Sequence, residues 1–415
     1  MTSGIEKYIA QCEEIRKGSS FAFLAERCET SEDAPHRMRV ANPLQPDEVC
    51  VLVLPASNGR KFNLKGHNGM LKRVDEFVKN NPKLSSNNIR VCMAVSHFGK
   101  YHDDKIARDG LWHELTAPQY FERFKSSISP ECREEILNPQ YINDIFEAAI
   151  LPRISKNDGN ERLEQQQVLR NIRKLNIVSR CHSGYVVMKL EQLMNKKMSE
   201  LGYSTTEQEQ IKSQLMVLCY NPDCPKSLSK LYMVSIESAQ DRHNKYNNYM
   251  REWLLMAPKD FGVCYMTKKW GRALMCSQID KYGVEGNPPR QKKLMSADDW
   301  FRNVNASNDT DEIGEHDWIA FKPTSNMSKG ALKLQKFANN ILTNSILNSL
   351  SQENGKFEPL PKIQNLVSGN NKDKCDFAKA AIVGYRLEQQ FLFSDKTKVD
   401  QYANMRRSIP VIELD

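Results

Sequence analysis

The stretch from Leu175 to Met194 constrains the fold more than any other part of this 415-residue chain. It begins as a short apolar run, and from Val186 onward its apolar residues recur at helical spacing. Cys181 stands between these two parts, among small residues that suit a tight turn. The pattern therefore predicts a strand that turns sharply into a helix. Such a turn places a reactive side chain close to the free backbone N–H groups of a helix N-terminus.

Strands and helices alternate along most of the chain. Apolar runs predict five strands, beginning near residues 48, 89, 175, 215 and 231. Helical patterns cover residues 4–17, 70–80, 141–154, 162–174 and 329–350, with further helices after the Cys181 turn and from residue 205. This alternation is typical of an α/β fold with a mostly parallel, doubly wound sheet. In such sheets, ligands bind beyond the carboxyl ends of the strands.

Changes in composition predict three segments. Residues 1–47 form an N-terminal helix and a polar connector, and residues 48–350 form the main α/β domain. Residues 351–415 form a C-terminal connector and a helical tail, with one helix near 374–393. Within the main domain, residues 261–276 suggest two more strands around a turn.

Composition places the chain among ordinary globular proteins. It has 59 basic and 51 acidic residues, and this mild excess without a dense basic block gives no strong nucleic-acid signal. The eleven cysteines are odd in number and irregular in spacing, which indicates free thiols in a reducing compartment. No membrane span and no secretory leader stand out, so we expect a cytoplasmic protein.

The order of strand, Ser179-x-Cys181-x-Ser183 and helix resembles the nucleophile elbow of the α/β-hydrolase superfamily. Cys181 stands where that family has its nucleophile, and Ser179 and Ser183 stand where two glycines are usual. The resemblance covers roughly residues 48–350. It implies an α/β-hydrolase-like domain with extra terminal helices.

The resemblance also implies two partners for the nucleophile. In this family a carboxylate follows a later strand and a histidine follows the last one. Asp241 and His316 stand at matching positions, and Asp223 is a competing carboxylate. The histidine would take the proton of the Cys181 thiol, and the carboxylate would hold the imidazole in the correct tautomer.

An oxyanion hole is implied by the same comparison. One backbone N–H would come from His182, directly after the nucleophile. A second would come from the loop after the first strong strand, at Ala56, Ser57 or Asn58. No metal-ligand spacing or nucleotide-binding motif appears, so we expect neither a metal nor another cofactor.

These residues predict a hydrolase or acyltransferase with a cysteine nucleophile that acts on a small-molecule or acyl substrate through its ester, thioester or amide bond. One alternative is a binding or scaffolding protein of the same fold without catalysis. Another is a cysteine protease, because Cys181-His-Ser-Gly184 also resembles the Cys-x-Ser-Gly turn of legumain- and caspase-like enzymes. In that case His97, at the end of an earlier strand, would serve as the catalytic histidine.

Overall fold

The structure is a computed structural model that describes residues 4–28, 38–54, 64–97, 129–180, 183–220, 231–236 and 329–351. The strands in this part are β1 (Phe21–Arg27), β2 (Met38–Val40), β3 (Cys50–Leu54), β4 (Arg90–His97), β5 (Ser155–Lys156), β6 (Glu161–Arg162), β7 (Leu175–Arg180), β8 (Met216–Tyr220) and β9 (Tyr232–Ile236). The helices are α1 (Gly4–Arg16), α2 (Leu64–Asn80), α3 (Pro130–Leu137), α4 (Gln140–Ala149), α5 (Leu151–Ile154), α6 (Gln165–Arg173), α7 (Ser183–Glu200), α8 (Thr205–Lys212) and α9 (Lys329–Leu350).

A seven-stranded, mostly parallel sheet organises these elements, in the order β2-β1-β4-β3-β7-β8-β9. Strand β3 pairs in parallel with both β4 and β7. All five residues of β3 are buried although they alternate between the two faces, so both faces of the sheet are covered here. The predicted α/β class and mostly parallel sheet are confirmed, and the five predicted strands correspond to β3, β4, β7, β8 and β9.

Two further strands extend the sheet beyond β4. Strand β1 pairs antiparallel with β4, with Ala25 opposite Met93, and β2 pairs antiparallel with β1. The sequence analysis did not predict either strand, although the apolar side chains of β1 are mostly buried. A separate antiparallel pair, β5 and β6, is only two residues long on each side.

Helices pack on the sheet through apolar stripes. Helix α2 buries Leu71, Val74 and Val78 at helical spacing and contacts β4 and β1. Helix α4 also contacts β1 and β4, and α7 contacts both β7 and α4. The predicted helices at 4–17, 70–80, 162–174 and 329–350 are confirmed as α1, α2, α6 and α9. No described helix is long and apolar enough to span a bilayer.

A buried polar cluster joins the amino end of β7 to the last turns of α9. The amide of Asn176 donates to the Ser349 hydroxyl at 3.1 Å and accepts from the Ser345 hydroxyl at 2.6 Å. Arg173 donates to Ser345 O at 2.7 Å and to Asn348 Oδ1 at 2.5 Å. Buried polar groups are costly unless they are hydrogen-bonded, so these contacts fix the register of α9 on the sheet.

A second buried arginine anchors the chain that enters β3. The guanidinium of Arg153 donates to the backbone oxygens of Pro46, Glu48 and Asn171 at 2.7–3.0 Å. Neutral carbonyls thus surround a fully buried cation and tie the start of β3 to the carboxyl end of α6. Arg153 therefore anchors the amino end of β3, the strand that pairs with both β4 and β7.

The chain divides into two compact units. One unit comprises Met1–Leu218, Lys230–Met233 and Ser345–Leu360, and it contains the paired strands β1 to β7. The other comprises Cys219–Ser229, Val234–Asn344 and Pro361–Asp415. The predicted segment boundaries at 47/48 and 350/351 stay predictions. The hairpin predicted at 261–276 and the helix predicted at 374–393 lie outside the described residues.

Candidate functional site

The carboxyl ends of three parallel strands meet at one edge of the sheet. Leu54 ends β3 opposite Ser179 of β7, and Arg180 is the last residue of β7. On the other side of β3, Val53 pairs with Met93, and β4 continues for four residues to His97. We call the edge formed by Leu54, His97 and Arg180 the carboxyl edge.

The chain changes direction across the sheet at β3. After β3 it proceeds to β4 on one side of that strand, and it later returns to β7 on the other side. The loops that follow β3 and β7 therefore leave the sheet from adjacent strands. In doubly wound sheets this switch in direction opens a crevice at the carboxyl edge, and ligands bind there. The sequence-predicted nucleophile turn follows one of these two strands.

The hydroxyl of Ser183 closes the turn between β7 and α7. Its oxygen accepts a hydrogen bond from the backbone N–H of Arg180 at 2.8 Å. It also lies 2.9 Å from the carbonyl oxygen of Leu54 and 2.7 Å from that of Arg180. One hydroxyl hydrogen serves these two acceptors, so the group holds the turn closed and ties it to the end of β3.

Burial makes this closure energetically important. Ser183 is only 2% exposed and Ser179 is fully buried, with the two hydroxyl oxygens 3.3 Å apart. A buried hydroxyl is tolerated where its hydrogen bonds replace those it made with water. Ser183 therefore has a structural role at a position where the family that this turn resembles usually has a glycine.

The turn leads into the N-terminus of a long helix. Helix α7 has 18 residues, and its first residue is Ser183. The first N–H groups of a helix carry a partial positive charge that favours a neighbouring anion. Only two residues separate Arg180 at the end of β7 from Ser183 at the start of α7.

All of the predicted catalytic residues lie outside the described residues: Cys181, His316, Asp241, and the backbone groups of His182, Ala56 and Ser57. The same is true of the competing carboxylate Asp223 and of Asn58. Their roles and mutual distances stay predictions. What the structure does describe is the frame around the predicted nucleophile, namely the end of β3, the end of β7 and the first turn of α7.

His97, the histidine of the protease alternative, lies at the carboxyl edge. Its Nε2 is 2.8 Å from Glu13 Oε1, and its ring stacks on Phe21 with centroids 4.7 Å apart. Strand β3 lies between β4 and β7, so the backbones of these two strands are about 10 Å apart. Glu13 and Phe21 thus hold the imidazole on the side of the sheet where α1 and β1 lie.

The cysteines in the strands of the sheet are buried, and their thiols are unreactive. Cys50 in β3 and Cys92 in β4 are fully buried. Burial raises the pKa of the Cys50 thiol to about 11 and that of Cys92 well above its usual value. Thiols in this state are protonated at neutral pH and react slowly. Cys219 in β8 is also buried, and Cys12 and Cys28 are half-buried.

Sequence reasoning missed the contribution of Ser183, because it treated this residue only as a replacement for glycine. The available signal was the position itself, since serine is common at helix N-termini, where its hydroxyl pairs with backbone groups.

Among the described residues, no group of three histidine, cysteine or acidic side chains could hold a metal ion. Comparison with protein-family models, with curated proteins and with solved structures finds no match for this chain.

Proposed function

We propose that this protein is a cysteine-dependent hydrolase or acyltransferase that cleaves an ester, thioester or amide with Cys181 as the nucleophile. The observation that carries the proposal is the Ser183 closure of the β7–α7 turn against Leu54. This closure supports a tight strand-to-helix turn at the switch point of the sheet. A nucleophile at such a turn is exposed to substrate while its backbone is held fixed.

The neighbouring strand supports the oxyanion part of the mechanism. The loop after β3 contains Ala56 and Ser57, and β3 lies directly beside β7. A backbone N–H from this loop and that of His182 would approach a substrate carbonyl from adjacent strands. Two such donors stabilise the oxyanion of a tetrahedral intermediate, and each contributes about 3–4 kcal/mol to the transition state.

Helix α7 supports activation of the thiol. A cysteine directly before the N-terminus of a helix has a lowered pKa, because the helix dipole favours the thiolate. Cys181 precedes the first helical residue, Ser183, by two positions. In this proposal its thiol is far more reactive at neutral pH than the buried thiols of Cys50 and Cys92.

The chemistry then follows in two steps. His316 takes the thiol proton while the sulfur of Cys181 attacks the substrate carbonyl, and the same proton passes to the leaving alcohol, thiol or amine. Water or an acceptor alcohol or amine next attacks the thioester, gives its proton to His316, and releases the acyl group and the cysteine. Asp241 holds the imidazole in the tautomer that accepts the proton. An α/β-hydrolase-like arrangement of the sheet belongs to this proposal.

A substrate panel tests this proposal. Esters, thioesters and amides of short acyl chains are incubated with wild type, Cys181→Ala and a control variant, Cys28→Ala, which removes a half-buried thiol. We expect turnover by wild type and by Cys28→Ala, and its loss in Cys181→Ala. Turnover that persists in Cys181→Ala rules out the proposed nucleophile. Trapping of a covalent acyl group on Cys181, detected by mass spectrometry, would identify the intermediate.

The non-catalytic alternative also has a supporting observation. Ser179 and Ser183 fill the turn where smaller residues are usual, and the Ser183 hydroxyl is engaged in holding it. A rigid crevice at the switch point serves ligand binding without any nucleophile. Saturable binding of panel compounds without turnover, unchanged in Cys181→Ala, would favour this alternative. Cleavage of peptides that is lost in His97→Gln would instead favour the protease alternative.

A further inference from the structure

An open pocket lies at the end of the sheet opposite the carboxyl edge. It encloses about 450 Å³, and its lining includes Glu26 of β1, Arg90 at the start of β4, and the end of β2 with the segment that follows it. This volume falls within the range of about 300–1,000 Å³ that is typical of small-molecule sites. Strand β4 has eight residues, so about 23 Å separates Arg90 from His97 at the carboxyl edge. The pocket is therefore separate from the candidate site.

Arg90 fixes the wall of this pocket. Its Nη2 donates to the backbone oxygen of Asn42 at 2.7 Å, and its Nη1 lies 3.0 Å from Glu48 Oε1. Its Nε lies 3.4 Å from Glu26 Oε2. These contacts join the segment after β2 to the start of β4 and to β1. The wall is thus held by the protein's own groups, and a preorganised wall lowers the ordering cost of binding a ligand.

A second guanidinium, that of Arg39, is held at the pocket but is only partly used. Its Nε and Nη2 lie 3.1 and 2.9 Å from Glu26 Oε1, so Glu26 occupies one side of the planar group. The other end, where the outer hydrogens of Nη1 and Nη2 lie side by side, makes no ion pair or hydrogen bond with a residue that the structure describes. Such an end binds a carboxylate through two parallel hydrogen bonds. Because the Arg39 side chain is 65% exposed, a ligand can reach it.

Two amide side chains, those of Asn42 and Gln45, also line the pocket. Their backbones are engaged, because the Asn42 oxygen accepts from Arg90 and the Gln45 N–H donates to Glu48 Oε1 at 2.8 Å. Both side chains are exposed, and within the described part of the chain neither amide group is hydrogen-bonded. A side-chain amide offers both a donor and an acceptor, which are the two groups that an amide bond in a ligand requires.

Apolar surface and the balance of charge complete the lining. Val40 is 37% exposed, and among the large apolar side chains of the described residues only Ile15 is more exposed. Pro43 lines the same pocket and is also exposed. The charged lining residues are two arginines and one glutamate, so the lining carries one net positive charge. A monoanion balances this charge, whereas the second charge of a dianion would be repelled by the Glu26 carboxylate.

We propose that this pocket binds an N-acyl amino acid, which is a small monocarboxylate with one amide bond. The carboxylate pairs with the unused end of the Arg39 guanidinium, and the amide bond pairs with the side chains of Asn42 and Gln45. The apolar side chain of the ligand packs on Val40 and Pro43. Each unused polar group of the lining thereby gains a partner of matching chemistry. The proposal does not depend on the proposed acyl-transfer function.

Calorimetry with three related compounds tests the pocket on the full chain. N-acetylvaline has every group that the pocket recognises in this proposal, N-acetylvalinamide lacks the charge, and isovalerate lacks the amide bond. We expect saturable binding of N-acetylvaline and a Kd about 10-fold higher or more for each of the other two. In Arg39→Gln the Kd for N-acetylvaline should rise about 10- to 100-fold. The control Lys83→Gln, which removes one positive charge from the exposed turn before β4, should change this Kd little.

The results that overturn the pocket are independent of the proposed function, because no turnover is measured. Absence of saturable binding to wild type overturns the proposal, and so does equal affinity of Arg39→Gln and wild type. An equal loss in Lys83→Gln also overturns it, since that result indicates a general effect of charge. Tighter binding of inorganic phosphate than of N-acetylvaline would overturn the ligand class. Thermal midpoints without ligand identify any unfolded variant, and Arg39→Lys, which keeps the charge but removes the planar pair of donors, then serves in place of Arg39→Gln.

Discussion

Ser183→Ala tests the closure on which the candidate site depends. The substitution removes one hydroxyl that accepts from the Arg180 N–H at 2.8 Å and serves the carbonyl oxygens of Leu54 and Arg180. The methyl group of alanine fits where serine stands, so no steric strain accompanies the change. The effect therefore reports the hydrogen bonds alone.

The expected cost follows from burial. Ser183 is 2% exposed, so water cannot easily replace the lost hydroxyl. The part-buried Arg180 N–H is left without this acceptor, at a cost of about 1–3 kcal/mol. One carbonyl oxygen also loses a donor, at about 1 kcal/mol. We expect Ser183→Ala to lower the free energy of unfolding by about 2–4 kcal/mol.

Urea denaturation measures this change, with Ser204→Ala as the matched control. Ser204 also pairs its hydroxyl with a helix N-terminus, as the cap of α8, but it is exposed to solvent. Loss of an exposed cap costs about 1 kcal/mol. Hydrogen exchange at the Arg180 amide, which should accelerate only in Ser183→Ala, provides a local measurement. A cost no larger than that of Ser204→Ala, with unchanged exchange at Arg180, would refute the closure.

Three further predictions concern other buried groups. Cys50 and Cys92 should resist iodoacetamide at pH 8 in the native protein and react after unfolding, because burial raises the pKa of both thiols. Labelling of the native protein at the rate of a free thiol would contradict this prediction. Asn176→Leu should lower the free energy of unfolding by about 2–3 kcal/mol in urea, because two buried serine hydroxyls of α9 each lose one of their hydrogen bonds. A neutral effect would show that α9 repacks. Burial also raises the pKa of Glu135, whose carboxyl group accepts from the Ser20 hydroxyl. The protonated carboxyl group therefore contributes to the free energy of unfolding at acid pH, and this contribution is lost as the pH rises through the raised pKa. Glu135→Gln should therefore have a higher urea midpoint than wild type at pH 7 but not near pH 4, and equal midpoints at pH 7 would contradict this.

The strands at the centre of the sheet could be predicted from the sequence for a simple reason. Strands β3 and β8 are buried at all five residues, so their sequences are continuous apolar runs. Strand β7 is also buried except at its last residue, and its apolar residues Leu175, Ile177 and Val178 were enough to predict it. The helix predicted at residues 329–350 was also correct in both bounds, because in α9 the apolar residues recur at helical spacing over 22 residues.

The edge of the sheet could not be predicted in the same way. Strand β1 is a short segment whose pairing with β4 joins residues about 70 positions apart, and no local pattern encodes such a contact. Strand β2, Met-Arg-Val, is only three residues long, so it is too short to show a strand pattern in the sequence. Antiparallel pairing at this edge therefore depends on tertiary contacts, because β1 pairs with the side of β4 that β3 does not occupy.

The candidate site shows the same division between local and tertiary information. The strand and the helix on either side of Cys181 were predictable, because an apolar run and a helical pattern follow one another directly from Leu175 to Met194. The partner of that turn was not predictable, because the contact between Ser183 and Leu54 joins residues 129 positions apart.

The buried cysteines indicate why a reactive thiol is not expected inside the strands of the sheet. Cys50 lies in the same sheet, beside the guanidinium of Arg153 at 3.4 Å, yet burial outweighs that positive charge and raises the pKa of its thiol. A positive neighbour alone therefore does not activate a thiol in this protein. At the carboxyl edge a cysteine can combine a helix N-terminus with access to water, which lowers the cost of forming the thiolate. If Cys181 is reactive while Cys50 is inert, we expect solvent access and the helix N-terminus, and not proximity to an arginine, to separate the two thiols.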